Sequence, residues 1–482
     1  MTYQFRTVNI WHKLAILSLA FGFFMVGLDR VPVPTVDGAV RATMARNIVN
    51  NQQLWPITYE GRVFTDHPPL FLWLTALSYK LFGINDFAAN LVPRLFAFLT
   101  VFMTALIAIE SGLGAGTALA SVIILCLTRD FVLSSVRGYI EPVMEFWIYL
   151  GLYFTLRQKN RRKLWPAATA AMAVWLAAYS KGPVALWPFL YFLFLLIWNA
   201  PTIRRRVHLA NIYFGTFVLC TVVWALWVTS RGEWQYWNSY YFGQIVSSAL
   251  RGRDGAQTME PLYFLKILGK FYWPWLPFLL WSIYRAFRAL FSLEFSSRVS
   301  YSFVYIVMAL GFIGGFSVMK WKFWYYIAPA YPALALFIAA VLHEHFDKIF
   351  DKPVFGRQVF TVVAIWIFIG SVYPVPLHKE RVPEVMAFKD TIVNSAVTGP
   401  VWFVRNPMDH NMVGTSGQWY FNRSVLKITD NEEQTWAATK LTAPAWIITG
   451  ADFWSTCKAT WCAKSTLIQS AGKSALVYYS GR

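Results

Sequence analysis

Asp37, in the segment VDGAVRATMARNIVNN, is the first of three acidic residues whose positions suggest chemistry. Its carboxylate could cap a helix over residues 38–50 by accepting backbone N–H bonds. Val40, Met44 and Ile48 recur every four residues, which predicts an apolar stripe on a helix lying at a membrane surface. An acid near a bilayer is costly and is therefore a candidate functional group. The alternative is that Asp37 serves only as a cap.

Two further acidic positions lie at the starts of predicted helices. Glu141 precedes Pro142, which suits a first helical turn, so its carboxylate would lie at the mouth of an apolar segment. The alternative is a structural ion pair with Arg137, four residues earlier. Asp66 and His67 precede two prolines, and a helix N-terminus of this kind binds phosphate well. The alternatives there are a capping Asp with a surface His, or a metal pair with too few ligands.

Basic residues on the same predicted side of the membrane could anchor a phosphate group. Each could equally contact lipid headgroups, so none decides the function alone. These residues occur in the segments YSKGP, ALRGRDG and MKWKFWYY, and the candidates are Lys181, Arg251, Arg253 and Lys322.

The composition indicates which elements must position these groups. Of the 482 residues, 57% are hydrophobic and 14% are charged. The apolar residues come in blocks of about 20, which is the length that crosses a bilayer. These features exclude a soluble enzyme and a disordered protein. The net charge of +19 indicates membrane orientation and lipid contacts rather than a nucleic-acid partner, because no polar domain offers a binding face.

Hydropathy predicts a mainly α-helical, polytopic membrane bundle of about eleven spans. The first apolar run follows a short basic start and lacks a cleavage site, so we interpret it as an uncleaved span. The apolar run at 68–83 is short for a span. Placing it in the interface puts the dense basic clusters at 157–163 and 202–206 on the cytoplasmic side. The predicted spans are 14–28, 88–109, 116–134, 143–156, 164–180, 183–198, 211–229, 272–288, 301–319, 323–342 and 359–376.

This topology divides the chain into a transmembrane domain, residues 1–376, and a soluble outer α/β domain, residues 377–482. The outer loop 30–87 would carry interfacial helices and catalytic residues, and the loop 230–271 lies on the same side. Strands are predicted in the tail because its short apolar runs alternate with Gly, Pro, Asn and Asp. These runs are 401–405, 419–422, 445–449 and 475–479.

The four cysteines fall into two pairs. Cys126 and Cys220 lie inside apolar blocks, which indicates packing. Cys457 and Cys462 lie in the polar tail and could form a disulfide if that tail faces an oxidising compartment. Two free thiols are the alternative.

Seven segments, in order over residues 30–345, resemble the GT-C fold glycosyltransferase family that holds aminoarabinose transferases and protein O-mannosyltransferases. Its members carry an acid after the first span, here Asp37, and a second acid at the outer end of a later span, here Glu141. Two positions depart from the family pattern. The second acid is more often Asp in the family, whereas here it is Glu141. The aminoarabinose branch usually has Lys where this chain has His67. The other segments are HPPLFLWLTALSYKLFG, AANLVPRLFAF, SKGPVAL, FYWPWLPFLL and KFWYYIAPAYP.

The resemblance implies an integral enzyme of a bacterial inner membrane whose active site faces the periplasm. Its donor would be a sugar, pentose or hexose, on a polyprenyl phosphate. Its acceptor would be lipid A, another glycan or a protein hydroxyl. Asp37 would be the base, and Glu141 would orient the acceptor or a cation. The residues implied to bind substrate or phosphate are Asp66, His67, Lys181, Arg251, Arg253, Lys322 and Tyr326.

Two questions stay open at this point. A divalent metal ion could take part, with Asp37 and Glu141 as the candidates to hold it. A flippase or carrier for a lipid-linked sugar would share the cationic outer cavity but would need no carboxylate base. Acids at the outer helix starts rather than in the middle of spans argue against transport. A non-catalytic envelope scaffold would explain the tail but not the ordered segments.

Overall fold

The computed structural model describes residues 18, 20–25, 28, 33, 35–59, 62–158, 163–231, 234–246, 260–291, 297–320, 322–350, 383–406 and 410–481. Helices dominate this part of the chain. Those before residue 231 are α1 (Thr35–Asn50), α2 (Leu70–Phe82), α3 (Asp86–Glu110), α4 (Gly114–Cys126), α5 (Arg129–Val136), α6 (Glu141–Gln158), α7 (Trp165–Lys181), α8 (Leu186–Trp198) and α9 (Ile203–Thr229).

The later helices are shorter on average. They are α10 (Trp234–Asn238), α11 (Tyr263–Phe271), α12 (Leu276–Phe291), α13 (Ser297–Val318), α14 (Ala330–Phe350), α15 (Pro383–Val393), α16 (His410–Phe421), α17 (Glu433–Thr439), α18 (Ala451–Thr456) and α19 (Thr460–Ala463). A π-helix covers Ser239–Val246, and 3-10 turns cover Gly182–Ala185 and Trp324–Ile327.

Contacts divide the described residues into two compact units. The first is drawn from 1–28, 63–74 and 90–374, and the second from 29–62, 75–89 and 375–482. The predicted domain boundary at 376/377 lies outside the described residues and stays a prediction.

The first unit contains the membrane helices. Among the described residues, four helical segments are long and apolar enough to cross a membrane, and a fifth counts if α4 and α5, bent by 64° at their junction, form one span. The four are Asp86–Glu110, Trp165–Trp198, Ile203–Thr229 and Tyr301–Val318. The predicted run 359–376 and part of 14–28 lie outside the described residues, so the count of eleven stays a prediction.

Helix α2 covers the apolar run that the sequence places in the interface. It has 13 residues, which is about 20 Å of helix. A hydrocarbon core is about 30 Å thick, so this helix alone is too short to cross it.

Small residues let α6 and α7 pack closely in the core of the first unit. Gly151 on α6 lies where a Cβ would come within 3.1 Å of Val174 on α7. The facing side of α7 is rich in alanine, which favours a helix and adds little bulk. Its fully buried residues include Ala167, Ala170, Ala171, Val174 and Ala177.

The second unit contains a five-stranded sheet of order β4-β3-β5-β7-β6. β3 pairs in parallel with β4 and β5, whereas β7 pairs antiparallel with β5 and β6. A separate two-stranded ribbon, β1 (Thr58–Tyr59) and β2 (Arg62–Val63), lies in the first loop. The sheet strands are β3 (Val401–Val404), β4 (Val425–Ile428), β5 (Ala445–Gly450), β6 (Ser465–Ala471) and β7 (Ser474–Tyr479).

Two local predictions are wrong. Residues 419–421 are the end of helix α16 rather than a strand, because their aromatic side chains pack on α1 instead of joining the sheet. Helix α1 begins at Thr35, so Asp37 lies inside its first turn and is not the N-cap. Arg46, near the other end of this helix, is buried.

Candidate functional site

Glu141 and Lys181 form an ion pair inside the first unit. Glu141 begins α6 and is 1% exposed, and its Oε1 accepts a hydrogen bond from Nζ of Lys181, the last residue of α7. Arg137, the partner that spacing suggested, instead places its guanidinium 5.3 Å from the ring centroid of Trp324. Because α6 packs on α7, the partner of Glu141 is the ammonium group of Lys181, 40 residues away in the sequence.

Gly182 determines where α7 ends and hence where Lys181 lies. Its φ of +77° is a conformation that L side chains rarely adopt. A Cβ here would also collide with the hydroxyl of Tyr240. The glycine thus ends the helix and leaves Lys181 in the last turn, where a cation is favourable against the helix dipole.

Two tyrosine rings cover the Lys181 ammonium group. Its Nζ lies 4.6 Å from the ring centroid of Tyr326 and 5.1 Å from that of Tyr325. Tyr325 in turn packs on Tyr139 with centroids 4.4 Å apart. A cation over an aromatic face in a buried place gains attraction from the ring quadrupole. The ammonium group of the ion pair therefore lies against the rings of Tyr325 and Tyr326, and each ring carries a phenol hydroxyl.

Sequence reasoning missed two buried acids near this pair. Glu145 lies one turn beyond Glu141 on the same face of α6, is fully buried, and neither of its oxygens finds a hydrogen-bond partner among the described residues. Asp130, at the start of α5, contacts Arg129 at 2.9 Å and accepts a hydrogen bond from Tyr331 at 3.1 Å. In the sequence, Glu145 and Asp130 could both have been recognised as acidic residues inside apolar runs.

Lys322 lies directly before the aromatic segment that contains Tyr326. It is 2% exposed, and its Nζ donates a hydrogen bond of 2.9 Å to the backbone carbonyl of Glu260. The Glu260 carboxylate pairs with Lys266 at 2.5 Å. Lys322 thus carries a buried positive charge whose hydrogen bond goes to a neutral carbonyl.

Asp66 and His67 precede α2, as the sequence predicts. The imidazole ring lies 6.3 Å from the ring of Phe64. One turn into the helix, Trp73 contacts the ring of Tyr179 at 5.7 Å, and Tyr179 is two residues before Lys181. This contact connects the start of α2 with the end of α7.

Asp37 belongs to the second unit. Its carboxylate lies 3.6 Å from the guanidinium of Arg41, one turn further along α1, and its side chain is 45% exposed. Its role as a base stays a prediction. Arg251 and Arg253 lie outside the described residues, so their roles stay predictions.

The sequence also offered candidate metal ligands and a candidate disulfide. No three His, Cys, Asp or Glu side chains gather as a metal site in the described ranges, and the partner of Glu141 is an ammonium group. In the second unit, a disulfide joins Cys457 to Cys462 with Cα atoms 6.2 Å apart. Cys126 and Cys220 are free.

Comparison with known proteins adds one family match. Residues 66–243 match the family model described as dolichyl-phosphate-mannose-protein mannosyltransferase. This range contains Asp66, His67, Glu141 and Lys181.

Relatives and solved structures extend the comparison. An uncharacterized protein of Aquifex aeolicus (strain VF5) is 26% identical over 67% of this chain and 62% of its own length. Undecaprenyl phosphate-alpha-4-amino-4-deoxy-L-arabinose arabinosyl transferase 1 of Pseudomonas fluorescens (strain Pf0-1) is 22% identical over 73% of this chain and 60% of its own length. The match thus spans about three fifths of these two relatives.

The fold is shared with ArnT from Cupriavidus metallidurans, solved with undecaprenyl phosphate bound. The TM-score is 0.71 at 16% identity, and the match covers 98% of both chains. Together these matches confirm the resemblance to this glycosyltransferase family that the sequence indicated, and the chain has the fold of the ArnT structure.

Proposed function

We propose that this chain is an integral-membrane, inverting glycosyltransferase. It would move a sugar from a polyprenyl phosphate to an acceptor in the cell envelope, at the periplasmic face of a bacterial inner membrane. The observation that carries the proposal is the enclosed Glu141–Lys181 pair beneath Tyr326. Both members of that pair lie in the segment that matches the family model.

The reaction needs a base and a stabilised leaving group. In our proposal, the acceptor hydroxyl gives its proton to Asp37 and its oxygen attacks the anomeric carbon. The bond from that carbon to the phosphate oxygen breaks, and the polyprenyl phosphate leaves with the electron pair. A phosphate needs no general acid but gains from fixed positive charge. Lys322 is the proposed donor of that charge, with Lys181, Arg251 and Arg253.

Glu141 would take a second role in this scheme. An arriving phosphate competes for the Lys181 ammonium group, because charge-assisted hydrogen bonds to phosphate are strong. The Glu141 carboxylate would then be released to orient the acceptor. Tyr326, Asp66 and His67 would contact the donor phosphate or the acceptor.

For the sugar, we propose a 4-amino-4-deoxy pentose as the first candidate. The Pseudomonas relative, an arabinosyl transferase of 4-amino-4-deoxy-L-arabinose, supports it. A hexose is the alternative, and the name of the family model favours it. His67, which stands where the aminoarabinose branch usually has Lys, makes a direct comparison of both donors necessary.

The test uses the full chain in liposomes with lipid A and either undecaprenyl phosphate-aminoarabinose or undecaprenyl phosphate-mannose. We expect transfer from one donor, and a loss of about 10²–10⁴ in kcat for Asp37→Asn, the usual contribution of a positioned base. Asp452→Asn, at an exposed acid of the tail, is the matched control and should keep full activity. Movement of either lipid across the bilayer without transfer would favour the flippase instead.

A further inference from the structure

The tail of the chain supplies two adjacent aromatic residues that hold both ends of helix α1. All the residues involved belong to the second unit. The backbone N–H of Val33, just before the helix, donates a hydrogen bond of 2.8 Å to the hydroxyl of Tyr420. Near the other end, the guanidinium of Arg46 donates to the carbonyls of Trp419 and Gln418, at 2.9 Å each.

The contact at Arg46 satisfies a general need of helices. The last four carbonyls of a helix have no partner inside it, and the two bonded by Arg46 lie in the final turn of α16 (His410–Phe421). A cation there also opposes the negative end of the helix dipole. The guanidinium lies 5.4 Å from the Trp419 ring centroid as well. Burial lowers the pKa of Arg46, yet an arginine keeps its charge.

The same two aromatic residues are fixed in turn by the segment 75–89. The indole N–H of Trp419 donates to Asp86 at 2.9 Å, and the hydroxyl of Tyr420 donates to the other carboxylate oxygen at 3.4 Å. Tyr79 stacks on the Trp419 ring with centroids 5.8 Å apart. Both aromatic groups therefore have little freedom to move.

Asp37 lies between the two anchored points, at residues 33 and 46. It is nine residues before Arg46, which is about 13.5 Å along a helix. Because an α-helix is stiff over this length, fixing both ends fixes the place of the carboxylate. A base displaced by about 1 Å can lose about a hundredfold in rate.

We infer that Trp419 and Tyr420 are positioning residues, through which the tail sets the place of the Asp37 carboxylate for proton transfer. This inference rests on the proposed function, in which Asp37 is the base. It also gives the tail a part in the proposed reaction.

The test compares Trp419→Phe and Tyr420→Phe with Trp446→Phe. Each variant keeps an aromatic ring and loses a hydrogen-bonding group. Trp446 is also buried, donates its indole N–H to Ser395 at 2.8 Å and packs its ring against Tyr478, both in the tail. We expect kcat to fall about tenfold to a hundredfold in the first two variants with the donor KM unchanged, since only the reacting geometry is disturbed. Trp446→Phe should keep kcat.

A second measurement does not depend on activity. Amide hydrogen exchange over residues 35–50 should become faster in Trp419→Phe and Tyr420→Phe, and stay at the wild-type rate in Trp446→Phe. If exchange changes while the wild type transfers no sugar, the proposed function fails and the anchoring stands. If the wild type is active and all three variants match in kcat and in exchange, the inference is overturned.

Discussion

The Glu141–Lys181 pair shows how much depends on single buried charges in this molecule. Two carboxyl groups lie on one face of α6, but only Glu141 forms an ion pair with the Lys181 ammonium group, whereas the Glu145 oxygens have no hydrogen-bond partner among the described residues. Breaking a buried ion pair by removing one partner is strongly destabilising, whereas a buried carboxyl group without a partner is itself a cost to the folded state. The two glutamates should therefore respond in opposite ways to the same substitution.

Glu141→Gln is expected to destabilise the protein, and Glu145→Gln is its matched control. The first change leaves the Lys181 ammonium without its acid, at a cost of about 3 kcal/mol. The second replaces a buried carboxyl group that has no hydrogen-bond partner among the described residues, so stability should stay equal or rise. Thermal unfolding in detergent measures both. Equal falls in Tm would contradict this account of the pair.

Lys322→Met tests the proposed phosphate contact. Losing a charged hydrogen bond worth about 1.5–3 kcal/mol should raise the donor KM by about tenfold to a hundredfold. Lys266→Met is the control, because Lys266 also contacts Glu260 but is exposed. Initial rates against donor concentration give both values. A donor KM for Lys322→Met that equals that of Lys266→Met would remove Lys322 from the phosphate site.

Residue types were predictable here, but their partners were not. The position of Glu141 before Pro142 indicated a carboxylate at the start of a helix, and the structure places it there. Its partner was not predictable, because helix spacing favoured Arg137 whereas packing of α6 on α7 brings Lys181. Glu145 was overlooked because one acid inside an apolar run was assigned no role.

At the scale of elements, the alanine-rich sequence of α7 allows this helix to pack closely on α6. The helix ends at Lys181. Its small buried side chains allow the approach, and Gly182 provides a conformation that other residues rarely adopt. The position of the ammonium group therefore depends on the residue that follows it.

Gly182→Ala is expected to lower stability. A positive φ at a residue with a side chain costs about 1–3 kcal/mol, and the new methyl group also meets the hydroxyl of Tyr240. Gly215→Ala, inside α9 with open space around it, should keep or raise Tm, because alanine favours a helix by about 0.5–1 kcal/mol. Detergent unfolding curves compare the two. An unchanged Tm for Gly182→Ala would contradict the proposed end of α7.

Element prediction succeeded where the pattern was long and failed where it was local. The run at 88–109 appears as α3 (Asp86–Glu110), and three of the four tail strands lie where alternation placed them. Residues 419–422 failed because aromatic side chains suit strands and helices alike. Their partner, Arg46, is 373 residues away from Trp419 in the sequence, which local patterning does not reveal.

At the scale of the whole molecule, contacts do not follow chain order. The second unit joins residues 29–62 and 75–89 with the tail, so two parts of the predicted catalytic loop group with the C-terminal sheet, whereas its residues 63–74 belong to the first unit. Hydropathy separates apolar from polar segments, but it carries no information on which polar segments meet. The GT-C resemblance fixed the class of fold, and only coordinates reveal this grouping.

The disulfide gives a test of which side of the membrane the second unit faces. Disulfides persist in oxidising compartments such as the periplasm and are rare in the cytosol. Protein from intact cells, denatured and treated with a maleimide, should therefore show the thiols of Cys126 and Cys220, and all four thiols only after reduction. The double variant Cys457→Ser/Cys462→Ser is the control, since its thiol number should not change on reduction. It should also lose about 2 kcal/mol of stability, because the bond closes a short loop. Four thiols without reductant would place the tail in the cytoplasm and contradict a periplasmic site.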